Sequence, residues 1–151
     1  MDRQALEEAV RKTVYEVLAK SRIEVVASPA TEQAAGGREV ILVRGTETGL
    51  QKFEPVPGVN ARLTDLVNAD HGASMAVGLM EVRECTFDWT LNYEEIEYVL
   101  EGTLDIIADG KTIRGYKGDA IYIPKGTHIQ FSSPDRALFL YCTYPADWAN
   151  Q

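Results

Sequence analysis

A chain of 151 residues has room for one ordinary core and a short appendage, but not for two full cores. Hydrophobic residues make up 45% and charged residues 25%, which excludes a disordered polymer. The formal charge of −8 argues against a nucleic-acid or anionic-membrane partner, because both require an exposed cationic surface. No apolar run approaches the ~20 residues that span a bilayer. Glu7, Glu8 and Arg11 interrupt any apolar leader at the N-terminus, so a cytosolic (cytoplasmic) protein is expected.

Residues 2–20 read as an amphipathic helix, with Asp2 as N-cap. Ala5, Leu6, Ala9, Val10, Val14, Val17 and Leu18 recur at spacings of three and four, and Glu7, Glu8, Arg11 and Lys12 fall on the other side. Residues 21–38, with Ser28-Pro29 and Gly36-Gly37, have linker composition. From residue 39 the texture changes to short β-rich runs separated by turns. Val40–Val43, Ser74–Val82, Ile96–Leu100, Thr103–Ala108, Lys111–Arg114, Ala120–Ile123, Ile129–Phe131 and Ala137–Tyr144 are expected strands. Asp109-Gly110 is a hairpin turn, and Pro124-Lys125-Gly126 is a turn in which Pro fixes φ and Gly supplies positive φ. Cys85 and Cys142 lie within strand-like runs and read as buried free thiols in a reducing compartment. Many short strands at this spacing imply a mainly β sandwich or barrel.

Two segments choose between those architectures. Glu95-Ile96-Glu97-Tyr98-Val99-Leu100-Glu101-Gly102 and Gly118-Asp119-Ala120-Ile121-Tyr122-Ile123-Pro124-Lys125-Gly126 resemble, in this order, the paired signatures of the cupin superfamily. Gly102 and Gly118 are expected to open tight turns. The resemblance implies a single RmlC-like jelly-roll barrel over residues 39–151. A metal-binding cupin similar to this chain would carry histidines where Trp89, Leu91 and Ile129 stand, with Glu95 alone retained. No transition metal of the usual cupin kind is therefore expected. His128 is one place away from a ligand position, and in a strand that shift points it to the opposite face. His71 reads as a loop residue.

Period two places Glu95, Glu97 and Val99 on one strand face and Ile96, Tyr98 and Leu100 on the other, with Glu94 turned to solvent. If Glu95 points inward, as in related cupins, Glu97 does too. With Tyr93 and Trp89 they would form an acidic, aromatic-walled pocket, in which one carboxyl keeps a proton or a cation neutralises both. A hard ion such as Mg²⁺ suits oxygen ligands. The open alternative is a pair merely hydrogen-bonded or solvated at the barrel mouth.

The run Phe87-Asp88-Trp89-Thr90-Leu91-Asn92-Tyr93-Glu94-Glu95-Ile96-Glu97 resembles the EutQ family of ethanolamine utilisation proteins. So do Gly72–Gly78, Val99–Gly102, Ile123–Gly126 and Tyr144-Pro145-Ala146-Asp147-Trp148. The resemblance implies association with a bacterial microcompartment and an acetate kinase activity, converting acetate and ATP to acetyl phosphate and ADP. Mg²⁺ and ATP are then the expected cofactors, with Glu95, Glu97 and Tyr93 as catalytic candidates and Glu95 and Glu97 as metal ligands. No P-loop is present. Lys125 or Arg114 could touch phosphate, although both also read as ordinary surface charge. A homodimer is expected. The helix over residues 1–20 either docks on its own domain or a dimer partner, or serves as a segment that binds shell or core proteins. A non-catalytic cupin that binds a small ligand or shell proteins is the alternative.

Overall fold

Buried and exposed side chains alternate along the longest strands, and this alternation makes the sheet two-faced. The computed structural model describes residues 40–151; the helix expected over 1–20 and the linker over 21–38 lie outside the described residues. Seven strands run in the order β1 (Gln51–Lys52), β2 (Ala61–Val67), β3 (Ala76–Thr90), β4 (Glu94–Ala108), β5 (Lys111–Tyr116), β6 (Ala120–Ile123) and β7 (His128–Tyr144). All pairings are antiparallel. The sheet order is β1-β2-β3-β7-β4-β5, and β6 pairs with the first part of β4. β3, β4 and β7 are long enough to turn a corner, so each serves both halves of the barrel.

The core is continuous. Val82, Val99, Leu104, Ile106, Ile129 and Phe139 are almost completely buried, and rings of Phe87, Phe131 and Phe139 stack through its middle. Each such side chain contributes about 1.5–3 kcal/mol on leaving water. The Asp109-Gly110 turn has positive φ at both residues, 49° and 72°, as a two-residue hairpin of this twist requires. Gly118 and Gly126 also adopt positive φ, each in a turn closed by a backbone hydrogen bond, from Asp119 to Tyr116 and from Thr127 to Pro124.

Three expectations need correction, and β2 was not foreseen. Val40–Val43 forms no strand: β1 already occupies that edge by pairing with β2, and Val40, Ile41 and Leu42 are exposed. Gly102 opens no turn. It lies inside β4, where the register with β7 shifts, and a Cβ there would sit 1.7 Å from the Arg136 carbonyl oxygen. The glycine is a bulge that lets the strand bend against its neighbour. Cys85 and Cys142 are free but only partly buried. Finally, β2 carries no expectation above, because Asp65 interrupts its apolar positions.

The outer face of the β4–β6–β7 half is unusually apolar. Ile96, Tyr98, Tyr122 and Tyr144 are all exposed, with Ile96 directly opposite Tyr122 and Cys142 in the ladder.

Candidate functional site

The opposite face of the same strand is the interior, and it is acidic. Glu95 and Glu97 both point inward, about 6.6 Å apart along β4, and Glu97 is fully buried. Thr143 and Tyr141 of β7 stand opposite them in the ladder, and Ile123 and Ile121 of β6 flank the other side. Glu95 Oε2, both Glu97 oxygens and Thr143 Oγ1 are buried without a hydrogen-bond partner. Among the described residues no group of three or more His, Cys, Asp or Glu could hold a metal ion.

A narrow cleft reaches Glu95 from the barrel mouth, with about 20 Å³ of space, room for about one water molecule. Phe53, Trp89, Tyr93, Tyr141 and Trp148 supply most of its wall, with Leu63, Met80 and Phe131 completing the lining. Glu95 is its acidic residue, and among the described residues no lysine or arginine lines it. The rings brace one another: Phe53 meets Trp89 edge to face at 5.2 Å, and Trp148 meets Tyr93 at 5.8 Å and Tyr141 at 6.2 Å. Their polar ends are held as well. Trp89 Nε1 donates to the Tyr93 hydroxyl at 2.7 Å, and the Tyr141 hydroxyl donates to Asp65 at 2.5 Å.

Burial controls the protonation of this site. It pushes Glu95 up to about 8. Glu97 is held well above the usual carboxylate range, first by burial and then by the neighbouring Glu95. Burial thus favours the protonated form of both carboxyls. Burial likewise raises Tyr93 and Tyr141, so both remain phenols. The site can exchange a proton at Glu95 and offer acceptor oxygens to a bound group.

The remaining candidates disperse. Leu91 and Ile129 are buried in the core and lie outside the cleft lining, whereas Trp89 forms part of it. Arg114 makes two 2.7 Å hydrogen bonds to Asp105 and lies outside the cleft lining. Lys125 is exposed in its turn. His128 is exposed on the outer face, bonded to Thr90 and close to Asp88, and His71 caps a short 3-10 turn through Asn68. Sequence reasoning missed Asp65, Tyr141, Thr143, Trp148 and Phe53. Trp148 stands in one of the motifs quoted above without a role, and the alternation of Ala61, Leu63 and Asp65 was the available sign of β2.

A family model described as ethanolamine utilisation protein EutQ matches residues 1–150. The acetate kinase EutQ of Clostridioides difficile strain 630 is 56% identical over 87 residues, 58% of this chain and 55% of that protein. The chain spans about half the length of the curated relatives it matches. Among solved structures, ethanolamine utilisation protein Q of Salmonella typhimurium LT2 is similar at 40% identity and a TM-score of 0.68, covering 70% of this chain and 85% of that one. An RmlC-like cupin from Shewanella frigidimarina, 15% identical with a TM-score of 0.60, covers 75% of this chain and 97% of that one, and shares the fold.

Proposed function

This chain belongs to the EutQ family of ethanolamine utilisation proteins, and we propose that its barrel is a small-molecule site in that process, operated by the Glu95–Glu97 carboxyl pair. Glu97 carries the reading: it is a fully buried carboxyl with two unpartnered oxygens, beside the one acid that lines an aromatic cleft. Leaving such a group unpaired costs about 1–3 kcal/mol or more, a cost that packing does not require. A ligand that uses the pair supplies the missing partner.

The finer reading is acetate kinase, the name that the curated relatives carry. Acetate would enter the cleft and meet protonated Glu95, which can donate a hydrogen bond to it. If both ionised instead, the carboxyl oxygens would offer an oxygen-only donor set of the kind a Mg²⁺ ion accepts. That ion would supply the positive charge that phosphoryl transfer needs and that the lining residues lack. The nucleotide of ATP is too large for the cleft and would lie at its mouth. The test is acetyl phosphate formation from acetate, ATP and Mg²⁺ by wild type, Glu95→Gln and Glu97→Gln. Loss of activity in both folded variants supports kinase chemistry at the pair, whereas activity indifferent to both removes it from the barrel.

The lack of a basic residue in the lining, among the described residues, favours a second reading, a non-catalytic small-ligand cupin. Microcompartment association and a homodimer belong to the same proposal. Truncation of residues 1–20 followed by shell co-purification tests the former, and sedimentation tests the latter. Among the described residues no helix is long and apolar enough to cross a membrane.

A further inference from the structure

The outer face of the wall that carries Glu95 and Glu97 is apolar in two complete rows. Val77, Cys142, Ile96 and Tyr122 stand side by side across β3, β7, β4 and β6, and Leu79, Leu140, Tyr98 and Ala120 form the next row. Neither row holds a charged side chain. We propose that this face is the contact between two copies of the chain, packed sheet against sheet about a two-fold axis that passes close to Cys142 and Ile96. This deepens the homodimer reading above and rests on it.

Three features select a second copy as the occupant. The first is area. Ile96, Tyr98, Tyr122 and Tyr144 are 44–57% exposed, and Met75, whose sulfur meets Cys142 Sγ at 3.8 Å, is 46% exposed beside them. At about 100 Å² apiece, these five side chains supply more than half of the ~800 Å² that each partner buries in a stable complex. The second is charge. In a two-fold contact the same surface meets itself, so a charged centre would repel its own copy, and this chain carries a formal charge of −8. The face keeps charge out of its centre and is rich in tyrosine, as homodimer interfaces are. Glu94 stands at its rim, where the Tyr122 hydroxyl donates to it at 3.4 Å. The third is shape. Four adjacent strands span about 14 Å of sheet, and two such faces pack about 10 Å apart with interdigitating side chains.

The contact bears on the site behind it. β4 then has a partner against its outer face and the carboxyl pair on its inner one, so dimer formation fixes the strand that positions Glu95 and Glu97.

Sedimentation of the full 151-residue chain over a concentration series, combined with thiol labelling in a Cys85→Ser background, tests this. Cys142 is then the sole thiol. A dimer is expected, in which Cys142 labels at least about tenfold more slowly above the dimer Kd than after dilution below it. Tyr98→Glu should weaken the dimer about a hundredfold or more, because the substitution occurs on both sides of the axis, and should restore fast labelling. Tyr122→Lys, opposite in charge, should do the same, which keeps the test decisive if the first variant does not fold. A dimer indifferent to both substitutions, with Cys142 labelling fast at every concentration, would overturn this face and leave the homodimer standing. Slow labelling that does not change on dilution also overturns it, because the chain's own residues then cover the face. A monomer at every concentration removes the homodimer reading as well.

Discussion

The protonation of Glu95 gives a test that needs no ligand. Its carboxyl titrates near 4.5 when exposed and is pushed up to about 8 by burial in the fold. Between those values the unfolded chain releases a proton that the folded chain retains, so stability falls as pH rises through this window. The contribution is complete below pH 4.5 and lost as pH approaches 8. At about 1.4 kcal/mol per pH unit, the loss from Glu95 alone reaches about 3 kcal/mol by pH 7. Glu97 adds to it in the same direction. Glu95→Gln removes a proton-binding group with little change of shape. Urea denaturation at pH 5, 6, 7 and 8 should therefore show a downward slope in wild type and a clearly flatter one in the variant. Parallel slopes would refute the reasoning, because they mean that Glu95 is ionised and solvated in the folded protein.

Three further outcomes follow from the packing. Gly102→Ala should cost about 3 kcal/mol or more, because φ is +76° there and a Cβ would collide with the Arg136 carbonyl; denaturant melts measure it. Tyr141→Phe should cost about 2 kcal/mol by removing its hydrogen bond to Asp65, with increased Trp148 fluorescence quenching by acrylamide as an independent sign of a looser wall. Glu81 behaves oppositely to Glu95. Hydrogen bonds from Arg83 and Arg136 outweigh its burial and hold it below 4.5, so its contribution is present above that pH and is lost on acidification. Glu81→Gln should flatten the acid limb of the stability curve and leave the slope between pH 5 and 8 unaltered.

The parts of this fold legible in the sequence are those where local chemistry and tertiary position agree. The Asp109-Gly110 hairpin, β6 with its Pro124–Gly126 turn, and the inward parity of Glu95 and Glu97 are of this kind. Parity alone does not reveal which face is inside. Hydrophobicity would have turned Ile96 and Tyr98 inward; the cupin-like spacing of Glu95 and Gly102 decided otherwise. What stayed hidden was long-range. The cleft wall joins Phe53 and Leu63 from early in the chain to Tyr141 and Trp148 near its end, and the β2–β3–β7 ladder brings them together. Val40–Val43 shows the converse, since a strong β pattern without a free edge to pair with remains an exposed segment.

In β4 the usual arrangement is reversed, with acids facing in and Ile96 and Tyr98 facing out. A slip of one residue against β7 would exchange them, bury the apolar side chains and hydrate the carboxyls, so the competing alignment is locally the cheaper one. Gly102 blocks it. Its positive φ and its approach to Arg136 accommodate no residue with a Cβ, and a slip in either direction brings Glu101 or Thr103 to that point. The bulge acts as a ratchet tooth that keeps the strand in the alignment its hydrophobic pattern opposes, and the ionisable floor of the barrel depends on it.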